Sequence, residues 1–289
     1  MNRTIIGLFG AVLLSSAPYG VEAADLMAPH PVVPYQSTEA EPAVASGWYL
    51  RGDIGIGVNA VNRFTEQDID NPAANQTTGW LKKSIGDSAV FDVGLGYQFN
   101  DYLRGDITAQ YRAATGFHST DITTNTLTNE NVQNLIDGNV SSTVLMANAY
   151  WDITHWNGLT PFVGAGIGAA YNKTTGVHGI APNNFTPPNT MVGVFDDQGK
   201  WNVAYALHAG VSWDVNSRLK LEAAYTFQDL GGAKLLESAC YNGTSCATFV
   251  PEQYAIKKIT TSDFRIGARW LFDAPAAPSY VSYPVVAKN

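Results

Sequence analysis

The sequence is poor in charged residues and lacks long hydrophobic runs beyond its N-terminus. Charged residues make up 15% of its 289 residues, whereas ordinary soluble domains contain about 25%. The formal net charge is −8, which argues against nucleic acid as the main partner because phosphate binding requires a basic face. After the N-terminal segment no run reaches the about 18 consecutive apolar residues of a transmembrane helix, so the chain is not expected to cross a membrane as a helix.

Cysteines are few as well, and the chain has only Cys240 and Cys246. In an exported protein such a close pair predicts a disulfide that closes a small loop. A metal site would need a CxxC motif or histidines at ligand spacing, and neither is present, so we expect no metal and no cofactor. The glycines of GAGIGAA (164–170) recur at every second residue, as on one face of a strand, whereas a dinucleotide-binding fingerprint would need a helix there.

The N-terminus predicts an exported protein. Arg3 supplies a positive charge, residues 5–14 form an apolar run, and small residues follow at 21–23, the order that is typical of a secretory signal peptide. We therefore divide the chain into a signal peptide cleaved near Ala23, a flexible Pro/Ala-rich segment, a folded domain and a Pro/Ala-rich periplasmic tail. Their ranges are 1–23, 24–46, 47–272 and 273–289.

Eight segments alternate apolar and polar side chains, which is typical of β-strands with two unlike faces. In FDVGLGYQF (91–99), for example, aromatic and aliphatic residues alternate with Asp, Gly and Gln. Most segments reach or slightly exceed the roughly 9–11 residues that a tilted strand needs to cross a bilayer. The eight segments are 48–58, 88–99, 103–113, 141–153, 161–171, 201–215, 218–229 and 261–272.

The connections between these segments alternate between long and short. Long loops at one end and tight turns at the other are typical of a transmembrane β-barrel, and an even strand number lets a barrel close without an exposed edge. We therefore predict an all-β fold, an eight-stranded antiparallel transmembrane β-barrel with short periplasmic turns, in a bacterial outer membrane. The four long loops, expected to be extracellular, are 59–87, 114–140, 172–200 and 230–260.

The outward face of such a barrel would meet lipid. Aromatic residues recur on this face near the turns, and they predict an aromatic girdle at that membrane interface. The residues of this girdle are Trp48, Tyr97, Phe99, Trp151, Trp213, Trp270 and Phe272.

The interior of an eight-stranded barrel is just wide enough for side chains, and buried charges are tolerated only when they are paired. We therefore predict a lumen filled by an ion-pair network, with charges that face narrow water pockets as the alternative. The four bases and four acids of this network are Arg51, Asp53, Asp92, Arg104, Asp106, Glu222, Arg265 and Arg269.

Three stretches resemble a known family. GWYLRGDIGIGV at the start of the domain, YQFNDYLRGD at 97–106 and FRIGARWLF at its end resemble small outer-membrane barrels of alphaproteobacteria. This is the opacity-type porin-like family that includes the 25/31-kDa major surface antigens. The resemblance covers 47–272 and implies outer-membrane lipids, lipopolysaccharide and the barrel-assembly machinery as partners. Family members usually end at the terminal aromatic residue, whereas here DAPAAPSYVSYPVVAKN follows Phe272.

These features favour a non-enzymatic surface or structural protein with an unidentified loop ligand. One alternative is a small-solute pore, although open porins have about 16–18 strands. Another is haem or other ligand binding, because His118, His178 and Tyr241 could ligate iron. An enzyme would need a nucleophile or a carboxylate such as Asp229 beside one of these histidines at the loop rim. His208 is predicted to face inward as a hydrogen-bonded filler.

Overall fold

The computed structural model describes residues 46–62, 64–68, 76–127, 129, 131–183, 189–241 and 252–272. The predicted signal peptide, most of the segment 24–46 and the C-terminal tail lie outside the described residues. Among the described residues no helix is long and apolar enough to span a membrane. The strands are β1 (Gly47–Val61), β2 (Phe64–Asp68), β3 (Gln76–Ile85), β4 (Ser88–Gln98), β5 (Leu103–Asn125), β6 (Asn131–Asp152), β7 (Leu159–Asn183), β8 (Asn189–Asp196), β9 (Gln198–Asp214), β10 (Leu219–Asp229), β11 (Ala233–Tyr241), β12 (Glu252–Ile256) and β13 (Ile259–Leu271).

Eight of these strands close into an antiparallel ring. The order around the ring is β1, β4, β5, β6, β7, β9, β10 and β13, and β13 pairs with β1 again. The closing pair keeps one register from Tyr49 opposite Leu271 to Val61 opposite Ile259. Closure pairs the backbone groups of every wall strand, which the lipid environment requires. The eight-stranded antiparallel barrel expected from the sequence is confirmed.

The tight turns lie at one end of the ring, and two of them share the same local chemistry. The side-chain oxygen of Asn100 accepts hydrogen bonds from the backbone N–H groups of Tyr102 and Leu103, both at 2.8 Å. Asn216 accepts in the same way from Arg218 and Leu219, at 2.9 and 2.8 Å. Asparagine favours such turns because its side chain replaces a backbone acceptor.

At the other end the structure differs from the loops expected there, because much of each long connection is β-structure. β5, β6 and β7 have 23, 22 and 25 residues, about twice the length of a bilayer-crossing strand. Beyond the ring they pair with short strands in the order β3, β5, β6, β7, β8, β11, β12, β2. We call this part the extension; it comprises β2, β3, β8, β11, β12 and residues 115–125, 131–140 and 175–183. The remainder of the ring is the membrane section.

Two β-bulges mark the boundary between the sections. In β5 the register shifts between Arg112 and Thr115, and the buried positions change from even numbers up to Arg112 to odd numbers from Phe117. In β7 the same change occurs at Gly176, whose φ of 59° is a left-handed conformation open to glycine. A bulge adds one residue and so reverses which side chains point inward. This interrupted alternation explains why the predicted segments ended at 113 and 171.

The outer wall of the membrane section is apolar. Along β9 the outward residues Trp201, Val203, Tyr205 and Leu207 are 55–62% exposed, and Ile54, Ile266 and similar side chains continue this surface around the ring. A contiguous exposed apolar band of this kind marks contact with another apolar phase, here the lipid of the bilayer.

The interior of the extension is mostly apolar, although the polar side chains of Ser119 and Asp121 are buried there as well. The members of this apolar core come from ring strands and short strands alike, and some of them, such as Val144 and Met146, lie in the membrane section beside the charged residues of the lumen. They are Phe117, Ile136, Val140, Val144, Met146, Ala170, Val177, Phe195, Ala204, Ala206, Leu230, Ala233, Leu235, Tyr254, Ile256 and Ile259.

Candidate functional site

The candidate site is the interior of the membrane section, where all eight predicted lumen residues lie. Each of them is 0–6% exposed and takes part in at least one ion pair. They all face the lumen because successive side chains of a strand point to opposite faces, so every second residue points to the same face. The residues are Arg51 and Asp53 on β1, Asp92 on β4, Arg104 and Asp106 on β5, Glu222 on β10, and Arg265 and Arg269 on β13.

Glu222 is the centre of the first cluster, near the turns. Its Oε1 atom lies 3.0 Å from Nε of Arg269 and 3.4 Å from Nη1 of Arg104. Its Oε2 atom lies 3.5 Å from Nη2 of Arg51. One buried carboxylate therefore contacts guanidinium groups from three other strands, which ties β10 to β13, β5 and β1.

Arg51 extends this cluster along β1. Its guanidinium donates two parallel hydrogen bonds of 3.0 Å to the carboxylate of Asp53, the bidentate geometry that makes such pairs strong. Nη1 donates to Asp106 at 3.1 Å and to the hydroxyl of Tyr150 at 3.0 Å. All the donor nitrogens of this buried arginine thus have acceptors.

A second cluster lies closer to the extension, around Asp263 on β13. Arg112 donates to both carboxylate oxygens, at 3.0 and 2.8 Å, and Arg265 donates to Oδ2 at 2.6 Å. Arg265 also bonds Asp92 at 3.0 Å. Sequence reasoning left Arg112 and Asp263 out of the network, although the alternation used for the other residues puts both on the inward face.

Aromatic rings separate and cover the arginines. The guanidinium carbon of Arg104 lies 4.3 Å from the ring centre of Tyr150 and 4.5 Å from that of Phe162. Such stacking is favourable for a desolvated cation. Arg104 also pairs with Asp152 at 3.1 Å, a further partner that sequence reasoning missed.

Glycines provide the space that the arginines occupy. A Cβ atom at Gly57 would overlap the guanidinium of Arg112 and lie 2.5 Å from Asp263 Oδ1, and one at Gly267 would overlap the carboxylate of Asp53. Any larger residue at these two positions would displace an ion pair.

A small cavity lies among some of these side chains. The cavity bordered by Arg51, Asp92, Arg265 and His208 has a volume of about 10 Å³, roughly the minimum for one water molecule. His208 faces inward, with Nδ1 3.0 Å from the hydroxyl of Thr226 and Nε2 3.1 Å from the side-chain oxygen of Asn148.

The predicted girdle residues lie near the turns on the outward face. Trp48, Phe99, Trp151, Trp213, Trp270 and Phe272 are 45–58% exposed. Tyr97 is half-buried, because its ring packs edge-on against Trp48 at 5.4 Å and against Phe99 at 5.3 Å.

The residues considered for other functions lie in the extension or at its border. His118 and His178 lie on β5 and β7, and Tyr241 ends β11. Asp229 pairs with Lys258 at 2.8 Å. Among the described side chains, no three His, Cys, Asp or Glu residues are arranged to hold a metal ion.

The predicted disulfide is only partly within the described residues. Cys240 lies in β11 and has no free thiol. Cys246 lies outside the described residues, so the pairing stays a prediction.

A comparison with protein families identifies this architecture. The model for the outer membrane protein beta-barrel domain matches residues 31–272. The chain belongs to this family. Membership agrees with the closed ring, the apolar wall and the resemblance found in the sequence, and it assigns the protein to the bacterial outer membrane.

Two relatives illustrate the family. An uncharacterised protein of Brucella suis biovar 1 (strain 1330) is 33% identical over 240 residues, which cover 79% of this chain and 80% of the relative. A candidate adhesin of Rickettsia prowazekii (strain Madrid E) is 30% identical over 212 residues, which cover 70% of this chain and 79% of the relative. Both organisms are alphaproteobacteria, as the resemblance implied.

Solved structures of similar proteins are small outer-membrane barrels. Neisserial surface protein A has a TM-score of 0.42 and 13% identity, covering 78% of this chain and 99% of its own. OprG of Pseudomonas aeruginosa has a TM-score of 0.43 and 11% identity, covering 80% of this chain and 98% of its own.

Proposed function

We propose that this protein is a non-enzymatic surface barrel whose lumen is closed and whose extension faces the environment as an adhesive surface. The support for this proposal is that side chains occupy the interior of both sections among the described residues. Ion pairs around Glu222 and Asp263 occupy the membrane section, and an apolar core that includes Phe117 occupies the extension. A closed barrel of this kind serves as an anchor for what it presents outside.

The charged lumen acts as an internal brace in this proposal. Paired and stacked arginines resist displacement by water, because a separated buried charge loses several kcal/mol of interaction. The alternative, a small-solute pore, requires these pairs to separate widely, since the free cavity among them is about 10 Å³.

Single-channel recording tests the closed lumen. Protein purified from outer membranes, with folding checked by the mobility difference between unheated and boiled samples, would be inserted into a planar bilayer. We expect no discrete conductance steps. Regular steps of constant size from correctly folded protein would contradict the closed lumen and support the pore.

The outward direction of the extension has a separate test in whole cells. Val194→Cys would place a thiol on an exposed position of the extension, and Ser217→Cys would place one on an exposed turn. We expect a membrane-impermeant maleimide to label the first variant on intact cells and the second only after lysis. Labelling in the reverse order would contradict the proposed orientation.

Adhesion is proposed because a Rickettsia relative is described as a candidate adhesin. Its test is attachment of cells that carry the wild-type protein to host-cell matrix, compared with cells that carry a variant disrupted in the extension core. Loss of attachment is expected while the protein remains in the membrane.

Several steps of biogenesis complete the proposal. The chain would be exported through a signal peptide cleaved near Ala23 and folded by the barrel-assembly machinery. It would then be surrounded by lipids and lipopolysaccharide, with Cys240 and Cys246 oxidised to a disulfide. Mass spectrometry of the mature protein, with and without reduction, measures both the cleavage site and the pairing.

A further inference from the structure

The interior of the extension contains a cavity of about 240 Å³. Three of its lining residues, Val132, Ala181 and Met191, lie near the ends of β6, β7 and β8 that are farthest from the membrane section. Met191 is 36% exposed, so solvent reaches the cavity at this end. Drug-sized ligands occupy pockets of about 300–1,000 Å³, and this cavity therefore suits a smaller molecule.

Two adjacent glycines shape the wall of the cavity. Gly179 on β7 is the register partner of Gly193 on β8, and both residues are buried and line the cavity. A Cβ atom at Gly193 would overlap the carboxylate of Glu237. One at Gly179 would lie 3.3 Å from the ring of Phe195. The absence of side chains at these positions thus lets a carboxylate and an aromatic ring lie directly against the backbone of the wall.

The lining combines one negative charge with aromatic surface. Among the described residues that line the cavity, Glu237 is the only charged one. Phe195 and Tyr254 line it as well, with ring centres 5.8 Å apart and exposures of 8% and 4%. A carboxylate offers about four acceptor positions on its two oxygens, so it can accept hydrogen bonds from a ligand in addition to those from protein groups. A carboxylate beside aromatic rings favours a cationic ligand.

A second carboxylate lies behind the wall and has the same effect. Asp121 on β5 is fully buried, and its Oδ2 atom accepts a hydrogen bond of 2.8 Å from the side-chain amide of Asn134. The hydroxyl of Thr123 lies 3.4 Å from the same oxygen. Asn134 and Thr123 both line the cavity, so the charge of Asp121 is one hydrogen bond away from it and adds to the negative potential inside.

We propose that this cavity binds a small organic ammonium ion. Its ammonium group would donate hydrogen bonds to the carboxylate of Glu237, and its aliphatic part would contact apolar lining residues such as Ile136 and Phe195. The space, the carboxylate and the aromatic rings are already in place, so binding requires no rearrangement of the described side chains. The proposal depends neither on the closed lumen nor on adhesion.

Calorimetric titration of the purified, detergent-solubilised protein with n-butylamine, which is protonated at neutral pH, tests the site. 1-Butanol and butyrate are the neutral and anionic compounds of the same chain length. We expect one saturable site per chain for the amine and no saturable binding of the alcohol or the acid. E237Q keeps the size of the side chain but removes its charge, and it should weaken amine binding at least about tenfold.

Two further variants separate the cavity from the rest of the extension. A181L adds side-chain volume to a lining position and should also weaken binding. D196N removes an exposed carboxylate of β8 that does not line the cavity, and it should bind like wild type. All three variants should retain the heat-dependent mobility shift of the folded barrel. Absence of saturable amine binding, equal affinity for 1-butanol, or equal affinity in E237Q and wild type would overturn the proposal.

Hydrogen exchange provides a second readout that locates the bound amine. Saturating n-butylamine should slow amide exchange in β8 and β11, the strands of Gly193 and Glu237. The effect is expected in the wild-type protein and not in E237Q at the same amine concentration. Slowing of equal size in both proteins would contradict the assignment of Glu237 as the ammonium-binding group.

Discussion

The membrane section and the extension share β5, β6 and β7 but differ in the side chains that fill their interiors. In the membrane section Arg104 and Arg269 point inward with at most 1% exposure, whereas the outward residue Leu207 is 62% exposed. In the extension Phe117 and Leu235 point inward and are fully buried, whereas the outward face mixes polar side chains such as His118 with apolar ones such as Val194. The surrounding solvent, lipid or water, therefore decides which face of a strand is apolar.

The two sections must also be stabilised by different forces. Apolar side chains gain little by leaving lipid, so the interior of the membrane section depends on hydrogen bonds and paired charges. The extension buries apolar side chains away from water, as soluble domains do. The change between the two regimes occurs at the bulges near Thr115 and Gly176.

The largest effect is expected from removal of the central carboxylate of the lumen. Glu222→Ala would leave three buried guanidinium groups without their common partner and should cost about 3–5 kcal/mol. Urea unfolding followed by tryptophan fluorescence measures this loss. The control Asp214→Asn breaks a partly exposed pair with Lys220 and should cost at most about 1 kcal/mol. Equal losses in both variants would contradict the proposed role of the network.

A similar but local effect is expected in the core of the extension. Phe117→Ala deletes a fully buried ring and should cost about 3–5 kcal/mol. We expect faster hydrogen exchange and proteolysis in the extension, with the heat-dependent mobility shift of the barrel unchanged. Leu81→Ala, at a position that is 63% exposed, is the control. Simultaneous unfolding of both sections would mean that they form one cooperative unit.

A smaller difference in stability is expected when an arginine is placed on the outer surface of each section. Leu207 in the membrane section and Val194 in the extension are 62% and 49% exposed. Leu207→Arg should cost about 2–4 kcal/mol because the charge enters lipid, whereas Val194→Arg should change stability by no more than about 0.5 kcal/mol. Unfolding from lipid vesicles measures both. A comparable cost at the two sites would place the lipid boundary higher than the bulges.

Much of the membrane section could be predicted because alternation directly records its two environments. Phe264, Arg265 and Ile266 show the principle, with the arginine between two lipid-facing side chains. The extension was harder to predict because segments such as STDITTN (119–125) are polar on both faces, so they show little contrast. The bulges interrupt the remaining periodicity.

The partners within the lumen required the register of the strands. Arg112 and Asp263 are separated by 151 positions in the chain, and no spacing rule joins them.

The sequence by itself determined the number of membrane-crossing strands, the side of each that meets lipid, and the charged character of the lumen. Side-chain direction along a strand is a local property with a period of two residues. The tertiary structure alone decided which charges meet, how far the strands continue beyond the membrane, and where the polarity reverses. These properties depend on ring closure, strand register and bulges. All three are set by the pairing between strands that lie far apart in the chain.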